Sequence, residues 1–315
     1  VIKKQIIEDM KRVMQEQGRI SRAIYREHGM YSERAYLAQF GSWSRLLRAS
    51  GLTNAPAVVA AVSEVKMHLM LADIHYPEHD AAALKAIVTF IEAHKDQIAS
   101  VTLMGDALDC ADLSRHTKGK PRLRLEGGYK KALDGFTRDV LTPIEQSVKP
   151  GTLLDYIAGN HEDWVESDLL DEMPELDGIV NIATALDLAA RGWTWTPCGG
   201  HIERAGFVLL HGDQIGSGIS VAKKLVDSVN ENCVMGHVHR FTVYTKTALV
   251  TERKKQIGVT LPCLCTVAPG YAKGQPNAFV VGFGLLEEFG PKLVNFYAPI
   301  ILEGKFAFGG KVYGA

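Results

Sequence analysis

Five apolar, strand-like runs in this chain each end on a short polar block, and that recurrence limits its fold more than any other feature. The blocks are Asp73-Ile74-His75, Gly105-Asp106-Ala107-Leu108-Asp109, Gly159-Asn160-His161-Glu162, His211-Gly212-Asp213 and Gly236-His237-Val238-His239. The runs before them include Met67 to Ala72, Ile98 to Met104, Leu153 to Ala158, Phe207 to Leu210 and Cys233 to Met235. A short apolar run bounded by turn residues reads as a buried strand. Helical patterns lie between, such as Asp80 to His94 with Leu84, Ile87, Val88 and Ile91 on one face, and Val221 to Val229. Residues 163–192 also read as helical, with Pro174 as a break. Strand-like segments return near 261–267, 278–285 and 292–297. Strand–helix alternation followed by a strand-rich end predicts an α/β sandwich rather than a barrel.

The blocks are chemically alike. In α/β sheets, sites assemble at the carboxyl ends of strands. Asp, His and Asn without Cys form a donor set for borderline or harder divalent cations: manganese, iron, zinc or nickel. Seven ligands with one shared carboxylate suit two metals about 3.5–4 Å apart. Gly159 is read as the bend that lets its block turn sharply.

Composition excludes several classes. The 315 residues suit one large domain or a medium domain plus a small one. A net charge of −1 gives no whole-chain field for nucleic acid or membrane. The charge is uneven, however. Residues 1–55 hold ten Lys/Arg and five Asp/Glu, a net of +5, which leaves −6 for the remainder. That asymmetry predicts a basic accessory module on an acidic body. Cys110, Cys198, Cys233, Cys263 and Cys265 are an odd, scattered set, which argues for a reducing compartment over a disulfide framework. Cys263-Leu264-Cys265 has two readings, half a metal site or two core cysteines on a strand; the second is favoured, since the spacing is wrong for a zinc knuckle and no matching Cys/His pair is nearby. No apolar stretch reaches the ~18 residues of a membrane span, and the N-terminus lacks a signal-peptide pattern. The expectation is a cytoplasmic protein without a membrane partner.

The first 55 residues read as a small helical, helix-turn-helix-like module. Ile2, Ile6, Met10, Val13 and Met14 share one helical face, and Gly18 ends that helix. Ser21, Ser32 and Ser42 each cap a further short helix, and Gly29 and Gly51 close two of them. Thr53 to Ala57 begins a linker, placed at 56–65. Gly18-Arg19-Ile20-Ser21, Tyr31-Ser32, Phe40-Gly41-Ser42-Trp43 and Ala49-Ser50-Gly51-Leu52 resemble the repeat found beside homing-type HNH nucleases. The resemblance implies nucleic-acid binding, DNA favoured, with Arg22, Arg26, Arg34, Arg45 and Arg48 as candidate phosphate contacts. The plainer reading is a mini-core of Trp43, Leu46 and Leu47 under a solvated basic face.

The five blocks, taken in order over residues 66–315, resemble the calcineurin-like metallophosphoesterases. The loop from Asp109-Cys110 through Ser114-Arg115-His116 resembles a phage-associated branch of that family, which would place the protein in a host cytoplasm. The resemblance implies a four-layer α/β/β/α sandwich. It also implies one metal held by Asp73, His75 and His239 and another held by Asn160, His211 and His237, with Asp106 bridging. His161 would position the phosphate or protonate the leaving oxygen, and Asp109 would orient His161. Glu162 is left without a chemical role. Protein phosphatases of the superfamily carry Arg-Gly after the second block, where this chain has Cys110-Ala111; that argues against a phosphoprotein substrate.

The expected activity is phosphodiester hydrolysis on a nucleic acid or nucleotide. The alternative is a phosphomonoesterase or small-nucleotide hydrolase whose N-terminal unit mediates oligomerisation. A silent binding module is a third reading. Arg115 and His116 are candidate substrate contacts, with loop filler as the other reading for His116. The basic string Lys118 to Arg124 in the 107–150 insertion is either a solvated loop or a clamp on a polyanion. Asp213 either orients His211 or caps the next turn. His68 reads as a packed side chain, and His79 and His94 as surface residues.

Overall fold

The computed structural model describes residues 2–52, 64–110, 128–176, 181–247, 255–267, 277–290 and 293–314. Arg115, His116, the Lys118–Arg124 string and the linker at 56–63 lie outside the described residues. The chain divides into two compact units, Val1–Ala61 and Val62–Ala315.

The first unit is all helix: α1 (Ile2–Gln17), α2 (Arg22–His28), α3 (Glu33–Phe40) and α4 (Trp43–Ser50). The hydroxyls of Ser21, Ser32 and Ser42 accept from the N–H three residues on and so start α2, α3 and α4. Gly41 and Gly51 close α3 and α4 in the left-handed conformation. Ile6, Met10, Val13, Ile20, Tyr25, Tyr36, Leu46 and Leu47 form the core, with Trp43 packed against it. The rings of Tyr25, Tyr36 and Trp43 meet with centroids 5.6–5.9 Å apart. Buried Asp9 accepts from the Tyr25 hydroxyl and the Met30 N–H, both at 2.8 Å, and from Arg12. One carboxylate therefore ties α1 to α2 and to the turn after it.

The second unit begins with β1 (Lys66–Leu71), α5 (Ala81–Ala93) and β2 (Ile98–Met104). After α6 (Gly128–Phe136), a π-helical segment at Thr137–Leu141 runs into α7 (Thr142–Ser147). There follow β3 (Leu153–Ile157), α8 (Asn160–Glu172), the short α9 (Ile182–Ala185), β4 (Trp193–Thr196), β5 (His201–Arg204) and β6 (Phe207–Leu210). Helix α10 (Val221–Val229) precedes β7 (Cys233–Met235), β8 (Thr242–Thr247) and β9 (Lys255–Thr260). The last strands are β10 (Gly284–Glu288), β11 (Val294–Tyr297), β12 (Phe306–Phe308) and β13 (Lys311–Tyr313).

Two sheets result. The first has the order β11-β10-β1-β2-β3-β4, with β1 to β4 parallel and β10 and β11 antiparallel. The second has the order β5-β6-β7-β9-β8, parallel in its middle and antiparallel at both edges. Alternation along β1 sends Met67, Leu69 and Leu71 into the core shared with Ile87 and Phe90 of α5. Met70 and Ala72 face the other way, into a core with Leu209 of β6, Val234 of β7 and Val259 of β9. The outer face of the second sheet, through Leu210 and Met235, packs on Val221, Leu225 and Val226 of α10. The layers are thus helix, sheet, sheet, helix, the α/β/β/α sandwich expected. Each buried parallel strand delivers its carboxyl end to the same rim of the sandwich.

The structure corrects several element boundaries. Residues 163–192 are not one broken helix: α8 ends at Glu172, and the short α9 is followed by turns into β4. The segment at 261–267 is no strand; it makes isolated bridges through Cys263 and Cys265. His94 is not simply on the surface, since its Nε2 bonds to the Tyr313 hydroxyl at 2.8 Å, and His79 stacks on Tyr76.

Candidate metal centre

The side chains at the strand ends converge because their backbones are bent there. Asp73, His75, Asp106, His237 and His239 all have positive φ, between 47° and 66°. Such conformations are uncommon for non-glycine residues and gather at functional sites. Hydrogen bonds fix the bends. His75 N–H donates to the Asp106 carbonyl at 2.8 Å, and Asp73 N–H to the Gly105 carbonyl at 3.1 Å. The Asp73 carboxylate accepts the His237 N–H at 2.9–3.0 Å.

Gly159 acts differently from the sequence expectation. Its φ lies outside the left-handed region, and a Cβ there would come within 2.1 Å of the Asp106 Oδ1. The glycine makes room for a carboxylate rather than a sharp turn. The residues after it open α8, so Asn160, His161 and Glu162 lie on one helical turn and not on a loop.

Two groups of donor atoms meet around Asp106. In the first, His75 Nε2 and His239 Nε2 are 3.2 Å apart, and His239 Nε2 is 3.5 Å from Asp73 Oδ1. In the second, His211 Nε2 is 3.1 Å from Asn160 Oδ1, and Asp106, His211 and His237 offer atoms within 4.8 Å of one another. Asp106 Oδ1 accepts the His161 N–H at 2.9 Å. That leaves Oδ2 facing both groups, 3.3 Å from His211 Nε2 and 3.9 Å from His75 Nε2.

This donor set fits divalent cations on two grounds. Two ligand nitrogens at metal bonds of 2.0–2.1 Å and a tetrahedral angle stand about 3.3 Å apart, close to the His75–His239 spacing. His237 Nδ1 is buried and has no hydrogen-bond partner among the described residues, so a cation would satisfy it.

The second hydrogen bonds of the imidazoles set their orientation. His211 Nδ1 donates to the Met104 carbonyl at 3.0 Å. That partner, not Asp213, orients His211; Asp213 begins a one-turn 3-10 helix. His75 Nδ1 is 3.1 Å from Asp109 Oδ1. His161 Nδ1 lies 2.5 Å from the Asp109 carbonyl and 3.4 Å from its carboxylate. Asp109 therefore holds two rings, one chiefly through its side chain and one chiefly through its backbone. His161 Nε2 points inward, 3.9 Å from Asp106 Oδ2.

Electrostatics follow from packing the carboxylates of Asp73, Asp106 and Asp109 among five imidazoles. Burial opposes ionisation of Asp106, but the charges of His211, His161 and His75 outweigh it and hold the group well below the usual carboxylate range. Burial likewise opposes protonation of His211, yet Asp106 lifts it to about 10. His161 is lifted against burial to about 9 by Asp106 and Asp109. Burial and the neighbouring His211 lower His237.

Three features had little or no sequence signal. Glu162 is buried and accepts four hydrogen bonds: Asp106 N–H, Leu108 N–H, the Tyr156 hydroxyl and Gly159 N–H, all at 2.8–2.9 Å. It splices the second and third blocks together. The Trp164 ring lies 4.0 Å from His161, one helical turn on. Cys265 Sγ stands 3.7 Å from His239 Nδ1. All five candidate nucleic-acid contacts are exposed; of them Arg22 and Arg26 pair with Glu33.

The fold and the site together define an α/β/β/α sandwich with a candidate two-metal centre at one rim. Residues 1–53 match the family described as the homing endonuclease associated repeat. No curated protein matches the chain. Among solved structures it is similar to vacuolar protein sorting 29 from Cryptosporidium parvum, with 15% identity over 80% of this chain and 100% of that chain and a TM-score of 0.42. It is also similar to Chaetomium thermophilum Vps29, with 13% identity over 75% of this chain and 97% of that chain and a TM-score of 0.34. No helix among the described residues is long and apolar enough to cross a membrane.

Proposed function

We propose that this chain is a dinuclear-metal-dependent phosphoesterase that cleaves phosphodiester bonds in nucleic acid, DNA favoured, with residues 1–55 as its nucleic-acid-binding module. The observation that carries the hydrolytic reading is Asp106 Oδ2, which faces two separate groups of donor atoms at once. Asp73, His75 and His239 would hold one cation, Asn160, His211 and His237 the other, and Asp106 both. Manganese suits this mixed oxygen and nitrogen set, as do iron, zinc and nickel. Two divalent cations there supply Lewis-acid charge for a phosphoryl oxygen and lower the pKa of water.

The chain's own residues do the rest. His161 belongs to neither donor group. Its Nδ1 is committed to Asp109, which leaves Nε2 to donate to the phosphate or to the leaving oxygen. Asp109 orients the ring, and the species that donates at Nε2 is the protonated imidazolium. The match of residues 1–53 to a homing endonuclease associated repeat supports a nucleic-acid substrate, and exposed Arg34, Arg45 and Arg48 supply phosphate contacts.

The test is turnover with manganese on bis-p-nitrophenyl phosphate, p-nitrophenyl phosphate, and single- and double-stranded DNA and RNA. Diester and DNA cleavage are expected. Hydrolysis of the monoester alone overturns the nuclease reading, and no turnover with any divalent metal overturns the enzyme. Asn160→Ala should lose metal and activity together. His161→Ala should lose about 10²–10⁴-fold in rate, the usual span of general acid catalysis, with metal content unchanged.

A further inference from the structure

Behind the candidate centre lies a pair of thiols that the proposed reaction does not use. Cys263 and Cys265 are two residues apart, each on an isolated β-bridge, and both are buried. The intervening Leu264 N–H donates to the Asp73 carbonyl at 3.1 Å, which anchors this segment at the end of β1. Cys263 Sγ, Cys265 Sγ and a ring nitrogen of His239 lie within 4.8 Å of one another. The Cys265 Sγ to His239 Nδ1 separation is 3.7 Å. Zinc bonds of about 2.3 Å to sulfur and about 2.0–2.1 Å to nitrogen at a tetrahedral angle set those two donors about 3.6 Å apart. The free side chains already stand at that spacing.

His239 thus faces two ways. Its Nε2 looks toward Asp73 and His75, its Nδ1 toward the thiols. We infer that Cys263, Cys265 and His239 Nδ1 form a site for a thiophilic divalent cation of the zinc class, and that its occupancy competes with the oxygen-rich centre for His239.

Charge and softness both favour this. Two thiolates neutralise a divalent cation, so the buried complex carries no net charge; two thiol protons leave as it forms. A monovalent cation would leave a net negative charge close to Asp73. Thiolates favour zinc-class ions strongly over manganese, whereas carboxylate and amide oxygens accept manganese readily and discriminate less. A neutral imidazole has one lone pair. A cation on Nδ1 keeps the proton on Nε2 and turns that N–H toward Asp73, where the other centre needs a lone pair. The competition rests on the phosphoesterase reading of that centre; the thiol site does not.

Cobalt(II) added to the full chain without manganese should give a near-ultraviolet thiolate-to-cobalt charge-transfer band. The band should vanish in the double variant Cys263→Ser/Cys265→Ser and persist in Cys198→Ser. With manganese and bis-p-nitrophenyl phosphate, zinc should inhibit the unsubstituted chain. The double variant should need roughly 10–100-fold more zinc for the same inhibition, the range in which lost ligand support weakens metal sites. Cadmium NMR on the unsubstituted chain reports sulfur ligation without any variant, should the serines impair folding. Cobalt binding without the thiolate band, or a cadmium resonance at oxygen and nitrogen shifts only, overturns the site. Zinc inhibition equal in both chains overturns the competition. Absence of turnover with every metal would overturn the phosphoesterase reading while leaving the cobalt and cadmium measurements decisive for the thiols.

Discussion

At Glu162 one buried carboxylate accepts four donors, two on each oxygen. Glu162→Gln replaces one oxygen by an amide that can only donate, so two donors lose their acceptor. The variant should lose about 2–4 kcal/mol of stability, from two buried groups at about 1–3 kcal/mol each less partial relaxation. It should also bind manganese more weakly, because Oε2 holds the Asp106 N–H and Oε1 the Leu108 N–H, so either orientation of the amide frees a backbone donor in the block that carries Asp106. Urea unfolding and manganese titration check this; unchanged values in both would remove Glu162 as the splice between the blocks. Trp164 supports a different atom. Its ring covers a face of His161, so Trp164→Ala should let the imidazole swing without disturbing the donor groups. If His161 protonates the leaving oxygen, the loss should be larger for alkyl diesters than for p-nitrophenyl esters, whose leaving group needs no acid. Equal losses would point to packing alone. His68 gives a pH prediction in the body of the sandwich. Burial lowers its pKa against the pull of Glu288, so folding favours the neutral ring. That contribution is complete above the unfolded value of about 6.5 and is lost as pH falls through the lower folded value. Tm should therefore drop less between pH 7 and pH 5 in His68→Gln than in the unsubstituted chain.

Elements carry the next layer of consequences. Arg204 on β5 reaches the buried Asp155 on β3 and so bridges the two sheets across a partly buried ion pair. Burial raises the Asp155 pKa while Arg204 opposes it. Arg204→Ala leaves a carboxylate without its partner and should cost about 3 kcal/mol, the lower end for breaking buried pairs, read from urea unfolding. The helices of the first unit were legible in the sequence because each announces itself locally: α2, α3 and α4 with Ser before the first turn and Gly after the last, α1 with one apolar face and Gly18 after its end. β1, β2 and β3 were legible for a related reason: a buried parallel strand is an apolar run, and each stops at a polar block. β4 (Trp-Thr-Trp-Thr) and β5 (His-Ile-Glu-Arg) alternate over only four residues and gave no such signal. β8 is an edge strand whose polar face hides it among loops. Within the site, the blocks were visible as residue types, but not which atom meets which. The Met104 carbonyl behind His211, the four donors on Glu162 and the thiol behind His239 depend on register between strands far apart in sequence. Gly159 was misread for that reason: its neighbour is Asp106, which local geometry does not reveal.

On the scale of the whole chain, the two units divide the proposed labour. Removing residues 1–55 should weaken DNA binding and flatten its salt dependence, since fewer phosphate contacts release fewer counterions. Hydrolysis of bis-p-nitrophenyl phosphate by the remaining unit should persist, because every proposed ligand lies between Asp73 and His239. Fluorescence anisotropy across a salt series checks the first point, and unchanged affinity would remove the DNA-binding role. Pairing in the first sheet carries a further consequence. β1, whose end bears Asp73, lies between β2 and β10, with Met67 opposite Glu287. During synthesis the helical unit emerges first and can fold while the rest is still being made. β1 must wait for a partner made more than two hundred residues later. A chain on the ribosome can therefore hold a finished helical unit long before the candidate metal centre exists, and β1 gains its second neighbour only once β10 has emerged.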